Sequence, residues 1–190
     1  MEKKDAKQQI IDAFRKLMDE QAFDEITVSA IIKAAGVSRA TFYRNFRDKY
    51  DVMNLIFSDK FRNMFLNNPE IDDYKHFLLQ YCRFLLQNKN YFIHAAEVEG
   101  QNSFLEVLFD MGMNYYCEQI RKALGVKQLS DETLFSVRLF TSGTVYMTKE
   151  WLNNGLEESP EKLSTMVYNS MPPVMCQCFS TDMPLQKDVS

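Results

Sequence analysis

Apolar residues recur at spacings of three and four from about Asp5 to Gln21, at Ile10, Ala13, Phe14, Leu17 and Met18. That spacing lays one apolar stripe along an amphipathic helix. Two shorter helical patterns follow on either side of Gly36, each preceded by a residue able to cap it: Thr27 before Val28 to Ala34, and Ser38 before Arg39 to Phe46. A hydroxyl at the cap accepts a backbone N–H that the first turn leaves unpaired. Glycine tolerates the left-handed backbone that lets one helix stop and the next begin within about three residues. The predicted unit is a helix-turn-helix, with Val28, Ile31, Ile32, Ala35, Val37, Phe42 and Phe46 turned inward.

Asp48 is a good cap for a fourth helix starting at Lys49, and Asp51 stands near the positive end of its dipole. Tyr50, Met53, Leu55, Ile56, Phe57, Phe61, Met64 and Phe65 make this helix apolar on a broad front until Asn67-Asn68-Pro69. The body begins near Asp72. Its predicted helices run from Tyr74 to about Gln87, from Tyr91 to Val98, from a Ser103 cap to Leu124 with Gly125 after it, from Ser130 to Asn154, and from a Ser159 cap and Pro160 onward. Pro172-Pro173 must break or kink the last one, and after Phe179 the chain is polar and expected to fray. No stretch reads as an alternating strand. The expected architecture is all-α with about nine helices.

The second short helix leaves Arg39, Ala40, Thr41, Tyr43, Arg44 and Asn45 outward. Arginine offers a bidentate fork to guanine or phosphate, asparagine one to adenine, threonine a hydroxyl and a methyl, and tyrosine a phenol to phosphate. This mixture suits a DNA groove, although any solvated helix carries residues of these kinds.

From about Gln8 to Phe57 the chain resembles the tetracycline-repressor (TetR) family, above all through G-V-S-R-A-T-F-Y-R-N-F-R-D-K at 36 to 49. The resemblance implies a three-helix DNA-binding domain at residues 1–48 and a helical ligand-binding and dimerisation domain at 49–190. It also implies that Thr27 and Lys49 hold phosphates, while Ser38, Arg39, Ala40, Thr41, Tyr43, Arg44 and Asn45 lie at or in the major groove. Arg44 and Asn45 depart from the aromatic and histidine common there. In such a family the last two helices meet a twofold mate, the two heads read a palindrome, and the fourth helix links ligand to head. N-K-N-Y-F at 88 to 92, E-G-Q-N-S-F at 99 to 104 and E-W-L-N-N-G at 150 to 155 are similar to a subgroup typified by dihydroxyacetone-kinase-operon regulators. That similarity points to an activator-like or partner-controlled member.

Charge sharpens this picture. The whole chain carries −4, the wrong sign for a phosphate binder. Residues 1–62, however, hold 12 Lys+Arg against 10 Asp+Glu, and the rest hold 10 against 16. The positive excess lies in the head and the acid in the body. Lys3, Lys4 and Lys7 open the first helix, where Lys3 and Lys4 are expected to keep a terminus solvated. With 46% hydrophobic and 13% aromatic content among 190 residues, the chain can bury a substantial core. No apolar run approaches the roughly 18 residues of a membrane span, and the N-terminus lacks a secretion signal. The expected compartment is the cytoplasm.

Other chemistry is sparse. Phe84, Tyr91, His94, Phe104, Phe109, Tyr115, Phe140 and Met147 are candidates to line an apolar effector pocket, against the simpler reading that aromatics at helical spacing are core. His76 and His94 are 18 residues apart and lack the spacing of a helical metal pair, so no metal or cofactor is expected. Cys82, Cys117, Cys176 and Cys178 show no zinc or redox spacing. No catalytic motif stands out. The sequence therefore reads as a DNA-binding regulator that binds a palindromic operator as a homodimer through its last two helices and answers to a small molecule or a co-regulator protein. The alternative is a helical ligand-sensing or interaction module without DNA binding, and an enzyme comes third.

Overall fold

A computed structural model describes residues 5–62, 73–100 and 103–179, the side chain of Lys60 aside. Lys3 and Lys4, Met64 and Phe65, the stop at Asn67-Asn68-Pro69, the body start at Asp72, residues Gln101 and Asn102 of the second motif, and the polar tail after Phe179 lie outside these residues. Among the described residues there are ten α-helices and no strand. They are α1 (Ala6–Glu20), α2 (Val28–Ala35), α3 (Arg39–Asn45), α4 (Lys49–Phe61), α5 (Tyr74–Gln87), α6 (Lys89–Ala96), α7 (Phe104–Leu124), α8 (Asp131–Asn153), α9 (Pro160–Asn169) and α10 (Pro173–Phe179), with one 3₁₀ turn at Phe23–Glu25. The tenth helix follows from Pro172-Pro173. The pair ends the preceding helix, and Pro173 then opens a new one, where a missing N–H costs nothing.

The described residues divide into two compact units, one within 1–61 and 88–106 and the other within 62–87 and 107–190. In the first, α1 packs against α2, α3, α4 and α6. Ile10, Phe14 and Met18, one turn apart, are fully buried. Each such side chain removed from water contributes roughly 1.5–3 kcal/mol. Phe57 of α4 meets Phe92 and Phe104 edge-on at 5.9 and 5.0 Å between ring centroids. Three hydrogen bonds bring α6 into this unit. Tyr91 donates its hydroxyl to the Met53 carbonyl at 2.7 Å, His94 Nδ1 lies 2.8 Å from the Met18 carbonyl, and Arg15 donates to Asn88 Oδ1 at 3.2 Å.

In the second unit α5 packs on α9, with Arg83 donating to Glu161 at 2.8 Å. Tyr74 and Tyr116 share a buried hydroxyl contact of 2.6 Å. Phe179 of α10 rests against Tyr74 at 4.9 Å. The E-W-L-N-N-G stretch is the last turn of α8 and the start of the turn that follows it, which is held from inside. The Trp151 indole donates to the Glu158 carbonyl at 2.9 Å, and Gly155 and Leu156 both take positive φ. Leucine pays strain there that glycine avoids, and Trp151, 4% exposed, anchors the turn.

Candidate nucleic-acid interface

The local sequence builds the helix-turn-helix in the order its caps dictate. Thr27 Oγ1 accepts the Ala30 N–H at 3.1 Å and starts α2. Gly36, at φ 64°, ends it, with its own N–H and that of Val37 returning to the carbonyls of Lys33 and Ile32. This is the paired closure that a left-handed residue makes available. Ser38 Oγ then accepts the Thr41 N–H at 3.0 Å and starts α3. Asp48 caps α4, and Asp51 holds the residue before the cap. The Asp51 N–H donates to Asp48 at 2.8 Å, and the Asp51 carboxylate accepts the Arg47 N–H at 3.1 Å. The second contact goes one residue further back than the cap N–H that a capping box would take.

Burial sorts the two faces of α3. Phe42 and Phe46 are buried, as is Ile31 of α2, whereas Val28, Ile32, Ala35 and Val37 are only partly covered. Ser38, Arg39, Ala40, Tyr43 and Arg44 are exposed, and Thr41 and Asn45 are half-buried. Their side chains are engaged unequally. The Arg39 guanidinium lies 5.4 Å from the Tyr43 ring centroid, and Ser38 and Thr41 pair their hydroxyls at 2.9 Å. Asn45 donates its amide to the Thr41 carbonyl at 2.8 Å. Arg44 makes no hydrogen bond or ion pair among the described residues. Arg47, absent from the sequence-derived set, extends a largely exposed guanidinium just beyond α3, 3.6 Å from Asp51.

Lys49 is placed differently from a free phosphate clamp. Its ammonium donates to the Phe23 carbonyl at 2.8 Å and lies 4.1 Å from the Phe23 ring centroid. Burial lowers its pKa, with Asp24 opposing the shift. The contact ties the start of α4 to the turn that precedes α2.

The eight candidate pocket residues are split between the two units. Tyr91, His94 and Phe104 belong to the first unit, where hydrogen bonds and ring packing occupy them. In the second unit Phe84 and Phe140 are buried, Phe109 is half-buried, and Tyr115 stacks on Phe77 at 5.6 Å. Met147, 49% exposed, lines a cleft with Leu78, Tyr81, Cys82, Thr148 and Leu163. That cleft is about 10 Å³, room for about one water. Its Cys82 thiol is pushed up to about 12 by burial. Among the described residues no group of three His, Cys, Asp or Glu could hold a metal ion, and no helix is long and apolar enough to cross a membrane.

An all-helical chain with a capped helix-turn-helix and a polar, exposed second helix belongs to the class of DNA-binding regulators. The comparisons make that specific. Residues 10–56 match the family described as bacterial regulatory proteins, tetR family, and residues 72–172 match a transcriptional regulator C-terminal region of the same family. The chain belongs to the TetR family of transcriptional regulators. It is 26% identical over 172 residues to the HTH-type dhaKLM operon transcriptional activator DhaS of Lactococcus lactis subsp. lactis (strain IL1403), covering 84% of this chain and 85% of the relative. A solved structure of a dihydroxyacetone kinase operon activator DhaS superposes with a TM-score of 0.63 at 23% identity, covering 91% of this chain and 96% of the other. A TetR regulator from Streptococcus agalactiae 2603V superposes with a TM-score of 0.67 at 19% identity, covering 87% and 93%. The matched families and relatives are regulators rather than enzymes.

Proposed function

We propose that this TetR-family regulator binds a palindromic operator in the cytoplasm as a homodimer and that a small molecule or a partner protein bound to its helical body changes its DNA affinity. The observation that carries the reading is the exposed polar face of α3, set by the left-handed turn at Gly36 and the Ser38 cap. Residues 1–48 form the DNA-binding domain in this reading, and 49–190 the regulatory domain. Thr27, Ser38, Arg39, Ala40, Thr41, Tyr43, Arg44 and Asn45 face the duplex, joined by Arg47, and Lys49 reaches a phosphate only by leaving the Phe23 carbonyl. The homodimer reading rests on α8 and α9. Phe135, Leu139, Tyr146 and Met147 of α8 are 68%, 64%, 60% and 49% exposed at helical spacing, and Met166 of α9 is 41% exposed. An apolar stripe of that kind is costly to leave in water and fits a second copy of the same surface.

Control by an effector requires that it bind two body conformations unequally. The described cleft is too small for a drug-sized ligand. The body's likeness to DhaS, an operon activator by description, supports an activator for this chain too. A gel shift with the duplex upstream of the chain's own gene tests the reading: a discrete complex competed by specific but not random duplex is expected, and none at low salt overturns it.

A further inference from the structure

Resting on the proposed DNA-binding reading, we infer that Arg44 is the base-reading arginine of α3, that it recognises a guanine, and that Asn45 reads no base because its amide is held on the Thr41 carbonyl. Three arginines surround the face, and their surroundings differ. Arg39 lies over the Tyr43 ring and Arg47 pairs with Asp51. An arginine held against an aromatic or a carboxylate has part of its donor fork already oriented. Arg44 is exposed, and among the described residues nothing holds its guanidinium. Its fork is free to span the O6 and N7 acceptors of a guanine in the major groove.

Asn45 is the residue whose chemistry would suit adenine, but that recognition needs its amide N–H₂ and its carbonyl together at one base edge. Here the amide nitrogen is given to the Thr41 carbonyl, one turn back, and the side chain is half-buried. The Thr41 carbonyl also takes the backbone N–H of Asn45 within α3, so the amide lies back along the helix rather than out toward a base.

Ala40 completes the arrangement. It precedes Arg44 by four residues, so the two stand on one stripe of the helix about 5–6 Å apart. Ala40 is exposed and carries only a methyl, which lets that line of α3 approach the groove floor and suits a thymine methyl. With base pairs about 3.4 Å apart along each strand, the pattern expected in each half-site is a guanine with a thymine one to two steps away.

The test is selection of duplexes from a random pool by the full chain, followed by sequencing and by anisotropy titrations of the enriched duplex and its single-base variants. The wild-type chain should enrich a palindrome with one dominant guanine per half-site. Arg44→Lys keeps the charge but loses the fork. It should relax the preference at that base pair by roughly tenfold or more while leaving the salt dependence unchanged. Asn45→Ala should weaken all duplexes by a similar factor and leave base preferences intact. Enrichment of a palindrome whose preferences survive Arg44→Lys, or loss of an adenine preference in Asn45→Ala, overturns the inference while the DNA-binding reading stands. Failure of the wild-type chain to enrich any duplex overturns that reading, and the inference with it.

Discussion

The Tyr91 hydroxyl donates to the main-chain carbonyl of Met53 across 2.7 Å, joining α6 to α4 inside the unit that carries the helix-turn-helix. Tyr91 is 4% exposed, so the bond is made away from water. Burial drives its phenol pKa well above the ordinary value, and the hydroxyl stays protonated as the donor. Tyr91→Phe keeps the ring and removes the donor. It should lower stability by about 1–2 kcal/mol, seen as a lower denaturant midpoint with an unchanged slope.

The apolar stripe on α8 makes a separate prediction. Leu139 is 64% exposed and sits in the middle of that stripe. Leu139→Glu should leave the helical circular-dichroism signal unchanged, convert a dimer to a monomer in light scattering, and weaken binding to a palindromic duplex more than to a half-site.

The four cysteines should separate cleanly by reactivity, because the thiolate is the nucleophile. Cys82 is buried with its thiol at about 12, whereas Cys176 is exposed. Iodoacetamide at pH 8 should modify Cys176 readily and leave Cys82 unmodified in the folded protein, as mass spectrometry of the digested protein would report.

Arg83 hydrogen-bonds the Glu161 carboxylate and, with the backbone N–H of Glu161 itself, lowers its pKa below the ordinary value. A depressed carboxyl pKa stabilises the fold above the unfolded value and loses that contribution as pH falls through the folded one. Glu161→Gln should therefore flatten the acid limb of a stability-versus-pH curve below about pH 4.3 and change little at neutral pH, where an exposed pair contributes little in any case.

Much of this molecule is legible in its sequence because caps and turns are local. Thr27, Ser38, Ser103, Ser130 and Ser159 each accept the N–H three residues on, and Gly36 takes the left-handed backbone, as their positions foretell. Side-chain commitments at longer range are not legible. Nothing near Lys49 in sequence announces that its ammonium will turn to the Phe23 carbonyl, 26 residues earlier. Nor does spacing separate an aromatic lining a cavity from one filling a core, or announce that Tyr91 bonds to α4, His94 to α1, and that Phe104 packs on Phe57 and Phe92. Asn45 lies between these cases. Its i−4 carbonyl bond is short-range, but asparagine at the end of a helix that faces DNA suits base recognition equally well.

The central claim is that α3 enters a DNA groove and distinguishes sequences there. An anisotropy titration of the purified chain against the duplex upstream of its gene, set against a scrambled duplex of equal length across a range of salt, tests it most directly. Saturable binding that favours the upstream duplex, with log affinity falling linearly as log salt rises, is the predicted result. Equal weak binding to both duplexes, or none at low salt, would contradict it.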